Sequence, residues 1–255
     1  MDVNDYSSFF FDLDRTLWNW DELIIGAADL VDSLREAGKN VYFHTDNTLL
    51  NRQEYAKKLT RMGIPAEKQQ VLTSAYVAGE RLSEKNVTEC YVIGEQGLVS
   101  EVDDRGIEVN EDSSTVVSGF DRGFNYGKAR KAMRIMEEGE AILCGSETYF
   151  RTSKGVTPNQ GCFNRCLEEF GSTEMVGKPS DKFREVFEDY FDFYPGRSVM
   201  IGDRLEDIET GNRLGMTTVA VFSGEIDEEV LKESKEIQRP DFGLSSLAKL
   251  KRRVI

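Results

Sequence analysis

The first apolar run in the chain is Phe9-Phe10-Phe11, an aromatic stretch that predicts a buried strand. It stops at Asp12-Leu13-Asp14. Ala27, Leu30, Val31 and Leu34 then recur at helical spacing, and Gly38 supplies the stop. Val41-Tyr42-Phe43 reads as a second strand and runs into the polar loop Thr45-Asp46-Asn47-Thr48. Tyr55, Leu59 and Met62 mark a helix closed by Gly63, and Val71-Leu72 a further short strand. In the middle of the chain, strands are predicted at 90–93, 116–117 and 141–143, with a helix through Ala129, Met133 and Met136. The last third gives a helix carrying Phe183, Phe187 and Tyr190. Strands follow at 198–201 and 218–221, and Leu244, Leu247 and Leu250 mark a closing helix. Strand–helix alternation of this kind is the signature of an α/β fold, a mainly parallel sheet with helices on both faces. Ligands in such sheets bind at the carboxyl ends of the strands, where Asp12 and Thr45 fall.

Composition narrows the class. The 255 residues suit one large domain or two modest ones, and 39% hydrophobic residues supply a core. A formal net charge of -14 argues against a partner made of nucleic-acid polymer, which would call for basic patches. No apolar run reaches membrane-spanning length, and Met1-Asp2-Val3-Asn4-Asp5 is unlike a signal peptide, so a cytoplasmic protein with no membrane partner is expected. Cys162 and Cys166 stand one helical turn apart, but the paired spacings and histidines of a zinc site are missing. All four cysteines are expected to be buried free thiols.

The chemistry concentrates at strand ends. Two acids two residues apart, Asp12 and Asp14, face the same side of an extended backbone and are tolerable together if a cation joins them. A carboxylate can attack phosphorus and form an aspartyl-phosphate, which calls for a divalent metal and a fixed cation. The remaining segments supply these parts. Asp12 is read as the nucleophile, and Asp14 as the acid for the leaving oxygen and then the base for water. Thr45 offers a hydroxyl to the phosphate, beside the backbone N–H groups of Asp46 and Asn47. Lys178, kept on a loop by Pro179, balances charge. Asp203, helped by Asp207, completes with Asp12 and Asp14 an oxygen-only Mg2+ site. Each segment alone has a plainer explanation: Asp203 or Asp207 would cap the helix that begins there, and a lone Lys or Thr is ordinary surface.

Asp12-Leu13-Asp14-Arg15-Thr16, Thr45, Gly177-Lys178-Pro179 and Gly202-Asp203-x-x-x-Asp207 together resemble the four motifs of the haloacid dehalogenase superfamily phosphatases. Gly119-Phe120-Asp121-Arg122 and Gly202-Asp203-Arg204-Leu205 resemble the NagD-like branch, which includes p-nitrophenyl phosphatases. The resemblance spans nearly the whole chain. It implies a Rossmann-like, doubly wound core at 1–75 and 178–255 with an α/β cap domain inserted at 76–177. It implies Mg2+-dependent hydrolysis of small-molecule phosphomonoesters, and a homo-oligomer formed through the cap is compatible with it. Asp14 favours a phosphatase over a dehalogenase.

Three departures bear on the expectation. Arg15 stands where the family usually has a small residue, and either crowds the nucleophile or turns away to pair with an acid. Asp46 replaces the Asn of Thr-Asn-Asn, at modest cost if only its N–H is used and at a larger one if its carboxylate faces phosphate. In the cap, Gly145-Ser146-Glu147 stands in place of Asn-x-Asp. Residues 147–160 are expected to contain the loop that reaches the substrate, with Arg151, Asn159 and Gln160 as polar readers. Two alternatives to a phosphatase are a phosphotransferase or mutase of the same superfamily, and a catalytically weak binding protein on the same fold.

Overall fold

The computed structural model describes residues 2–152, 155–222 and 224–254. It divides into two compact units, each discontinuous in sequence: Met1–Thr45, Ala56–Val71 and Phe187–Ile255 in the first, Asp46–Tyr55 and Leu72–Val186 in the second.

The first unit is built on a six-stranded sheet. Its spatial order is Phe242–Leu244, Thr217–Val221, Ser198–Gly202, Ser8–Asp12, Asn40–Thr45 and Val71–Thr73, and the boundary between the units falls within the last strand. The four pairings from Phe242–Leu244 across to Asn40–Thr45 are all parallel. In chain order the arrangement is the 3-2-1-4-5-6 of a doubly wound sheet, so the winding reverses between Ser8–Asp12 and Ser198–Gly202. The aromatic run is central because both of its faces are covered. Every residue from Ser8 to Asp12 is buried, and Phe10 stands within 5.3 Å, ring centre to ring centre, of Tyr42, Phe187, Phe191 and Phe193. The helices Ala27–Glu36 and Leu247–Val254 pack on each other, and Leu205–Arg213 packs on the strand before it.

The second unit carries a five-stranded sheet in the order Ser172–Met175, Glu140–Leu143, Thr115–Ser118, Glu89–Ile93 and Glu108–Val109, with all four pairings parallel. Tyr91, Ile93, Val116, Ala141 and Leu143 from the strands meet Ala132, Met136 and Leu167 from the helices Tyr126–Met136 and Gln160–Glu168. This unit takes in residues 46–55, 72–75 and 178–186 besides the expected insertion. Polar ties explain why. Phe120 donates its N–H to Thr48 Oγ1 at 2.8 Å, Arg52 pairs with the fully buried Glu101 at 3.1 Å, and Lys182 pairs with Glu84 at 2.5 Å.

Several expectations change. Cys90 and Cys144 are buried, but Cys162 and Cys166 are exposed. Gln160–Glu168 buries Gln160, Gly161, Asn164 and Leu167, and the two cysteines fall on its other face. Within residues 147–160, Tyr149–Thr152 and Gly155–Pro158 pair as an antiparallel hairpin, and the helix starts at Gln160. Extended backbone stops at Asp12, so Asp14 does not share a face with it by strand alternation; Asp14 sits in an isolated bridge to Trp18. The short strands Trp18–Asn19, Glu22–Leu23, Ser172–Met175 and Phe242–Leu244 carry little apolar pattern of their own and were not expected. Among the described residues no helix is long and apolar enough to cross a membrane.

Candidate active site

In the first unit the acids gather at the carboxyl ends of the two strands that flank the winding reversal. Asp12 ends its strand at 5% exposure, and Asp203 directly follows Ser198–Gly202 and is fully buried. The parallel register sets Asp12 against His44. Asp12, His44 and Asp207, all buried, each offer a ligand atom, and these atoms lie within 4.8 Å of one another. No imidazole was expected near the acids, and His44 stands among them. His44 belongs to the group because it is Asp12's cross-strand partner, a pairing that no spacing in the sequence displays.

Asp203 is wrapped by its neighbours. Thr16 Oγ1 donates to Asp203 Oδ1 at 3.3 Å, and the Glu225 N–H donates to Oδ2 at 3.3 Å. The Ile226 N–H donates to the Asp203 carbonyl at 3.0 Å. A methyl group on Gly224 would lie 1.8 Å from Asp203 Oδ2, so only glycine permits that approach. Asp207 Oδ2 accepts the Arg204 N–H at 3.2 Å, which caps the helix Leu205–Arg213. The plainer explanation of Asp207 as a cap therefore holds alongside its place in the cluster.

Asp14 is half-buried, and its Oδ1 accepts from the Trp18 indole N–H at 2.9 Å. Trp18, missed as a site residue, thus sets the rotamer of the second acid. Arg15 pairs with acids, one of them Asp203 of the candidate site. It has a left-handed backbone at φ 62°, and its Nη1 meets Glu225 Oε1 at 2.6 Å while its Nε stands 3.7 Å from Asp203 Oδ2. A left-handed φ favours glycine. Thr45 closes its strand and is buried.

The second unit holds the remaining candidates. Lys178 is 3% exposed, and its backbone N–H donates to both carboxylate oxygens of Asp46 at 3.1 Å. The Lys178-Pro179 peptide is cis. Asn47 Oδ1 accepts the Leu49 N–H at 3.1 Å, and its carbonyl accepts from Tyr55 Oη at 3.0 Å. Asn159 caps the helix that follows by accepting the Gln160 N–H, and its Nδ2 donates to Glu147 Oε2 at 2.6 Å. Gln160 is buried and donates from Nε2 to the Asp46 carbonyl at 3.0 Å. Arg151 is exposed, near the Tyr149 ring.

The donor set fits a magnesium ion. Asp12 and Asp207 are buried carboxylates whose mutual repulsion a divalent cation would relieve, and their hard oxygen donors suit magnesium; Asp203, also buried, follows the adjacent strand. His44 is the one nitrogen donor of the cluster.

A central parallel sheet of 3-2-1-4-5-6 order with acids at its reversal point matches known proteins along the chain. The profile of the haloacid dehalogenase-like hydrolases matches residues 9–108, and a HAD-hydrolase-like profile matches 175–250. The chain belongs to the haloacid dehalogenase superfamily, and within it to the phosphatases. Human chronophin is 30% identical, over 84% of this chain and 80% of its own length. Phosphoglycolate phosphatase 1A of Arabidopsis thaliana, a chloroplastic protein, is 28% identical over 96% of this chain and 76% of its own. The crystal structure of a 4-nitrophenylphosphatase from Thermotoga maritima matches with a TM-score of 0.88 and 25% identity, covering 98% of each chain.

Proposed function

We propose that the protein is a magnesium-dependent phosphatase that hydrolyses small-molecule phosphomonoesters through an aspartyl-phosphate on Asp12. One observation carries this reading: buried Asp12 and Asp207 converge at the end of the central strand, with buried Asp203 on the adjacent strand end. Asp12, Asp203 and Asp207 would hold the magnesium ion, with Asp14 grouped with them. The ion would neutralise charge on the phosphate and the carboxylates. The Asp12 carboxylate attacks phosphorus, and the ester P–O bond breaks as Asp14 gives its proton to the leaving oxygen. Asp14, now a base, takes a proton from water, which attacks the same phosphorus. Inorganic phosphate leaves and the Asp12 carboxylate is restored. The indole N–H of Trp18 keeps Asp14 oriented for both steps. Thr45 and the backbone N–H groups of Asp46 and Asn47 hold phosphate oxygens, and Lys178 supplies the fixed cation. Residues 1–75 with 178–255 would act as the catalytic core and 76–177 as the cap that selects the leaving group, with Asn159 and Gln160 among its contributors.

Phosphoglycolate heads the substrates to screen, because it is what the name of the Arabidopsis relative specifies. The test is phosphate release over a phosphometabolite panel with no acceptor, with and without EDTA. Hydrolysis that stops on chelation and returns with magnesium is expected. Asp12→Asn, nearly isosteric but unable to attack, should abolish turnover and leave the fold intact. Wild-type rates for Asp12→Asn, or full activity after exhaustive chelation, would refute the reading.

A further inference from the structure

Residue 46 carries a charge, and three segments of the second unit meet at it. Both Asp46 carboxylate oxygens accept the same donor, the Lys178 N–H, each at 3.1 Å. The Asp46 carbonyl accepts from Ser74 Oγ at 3.0 Å and from Gln160 Nε2 at 3.0 Å. Ser74 and Gln160 each open a helix, Ser74–Glu84 and Gln160–Glu168. Gln160 is 2% exposed and its Oε1 finds no hydrogen-bond partner among the described residues, so the bond to Asp46 is what offsets the burial of its amide. A methyl group on Gly145 would lie 2.0 Å from Gln160 Nε2, so glycine there leaves room for it. Two helix starts and the Lys178 loop therefore meet on one residue, and its carboxylate accepts a backbone N–H.

We infer that Asp46 is a positioning residue: its carboxylate holds the Lys178 backbone and thereby fixes the root of the Lys178 side chain, and it does not read the substrate. The inference rests on the reading of Lys178 as the fixed cation of the phosphatase. A charge-assisted acceptor suits this role better than the amide of Asn, which offers one oxygen where Asp46 offers two.

The experiment is a double-mutant cycle on Asp46→Ala and Lys178→Ala, with Asp46→Asn as the conservative variant. Two quantities are read: phosphate-release kinetics with magnesium, and the dissociation constant of inorganic phosphate without turnover. Melting temperatures of every variant check the fold. Asp46→Ala should weaken phosphate binding and lower kcat about 10–100-fold, the range spanned by one hydrogen bond involving a charged group. Asp46→Asn should recover most of that loss, since it keeps an acceptor. In the Lys178→Ala background, Asp46→Ala should cost nothing further. Independent, multiplying losses would overturn the inference, as would Asp46→Ala that matches wild type while Lys178→Ala is impaired. If Asp46→Ala fails to fold, Asp46→Ser, whose side chain is one atom shorter than the acceptor it replaces, takes its place in the cycle. Lys178→Ala with wild-type phosphate binding and turnover would instead overturn the phosphatase role given to Lys178.

Discussion

Gly202→Ala is a one-methyl change whose consequences follow from a single crowded contact. Gly202 ends the strand Ser198–Gly202, and Asp207 lies beneath it in the first turn of Leu205–Arg213. A methyl group at 202 would lie 2.3 Å from Asp207 Oδ2 and 2.4 Å from both Asp207 Cβ and Cγ. Ordinary contact begins near 3.4 Å, so side chain or helix must move by about 1 Å. Asp207 cannot swing into solvent, because it is fully buried and its Oδ2 holds the Arg204 N–H at 3.2 Å. Overpacking a filled site costs about 1–3 kcal/mol, and loss of the cap about 0.5–2 kcal/mol. A net loss of roughly 2–4 kcal/mol would lower the melting temperature by about 5–15 °C. The assay is differential scanning fluorimetry, paired with magnesium titration by calorimetry without substrate, where Asp207 displacement should raise the dissociation constant. Gly196→Ala is the control, since a methyl there meets nothing within 4 Å. A Gly202→Ala melting temperature within a degree of wild type, with unchanged magnesium affinity, would refute the reasoning.

Further outcomes are expected. Arg15→Gly relieves a left-handed backbone worth about 1–2 kcal/mol but loses the Glu225 pair and gains unfolded-state freedom. Its unfolding free energy from denaturant titration should therefore stay within about 1 kcal/mol of wild type, and a loss well beyond that would show that the contacts of Arg15 with Glu225 and buried Asp203 are worth far more than a part-exposed pair. Among the four thiols, exposed Cys162 and Cys166 should react rapidly with a thiol reagent in the native protein. Cys90, whose thiol burial pushes up to about 12, and buried Cys144 should react only on unfolding, so four fast thiols would contradict the fold of the second unit. Burial pushes the Glu84 carboxyl up, but Lys182 and Arg81 outweigh it and hold it below its ordinary value of 4.5. The stability this adds is present above pH 4.5 and is lost as pH falls through the depressed value. The melting-temperature gap between wild type and Glu84→Gln should accordingly shrink from pH 7 to pH 3.5, and a gap that widens in acid would reverse the sign.

Much of the architecture was written in local pattern. Phe9-Phe10-Phe11, Ser198–Gly202 and Thr217–Val221 read as buried strands because a parallel sheet covered on both faces needs continuous apolar runs. Asp12, Asp203 and Asp207 were legible because each stands where such a run ends or the next helix begins, and the spacing of the four motifs tied them to one superfamily. What was not legible depends on neighbours that sequence separates. His44 joins the acid cluster only because its strand lies beside that of Asp12, in a register that sets the two opposite each other. Glu225 meets Arg15 across 210 positions. Asp46 turns its charge to a backbone N–H 132 positions away. Its identity alone left open whether that charge faced substrate or protein. The cysteines at 162 and 166 went the other way: their apolar character suggested burial, but Gln160, Asn164 and Leu167 already fill the inward face of that helix. Periodicity places residues on an element, and the packing partner decides which side is inside.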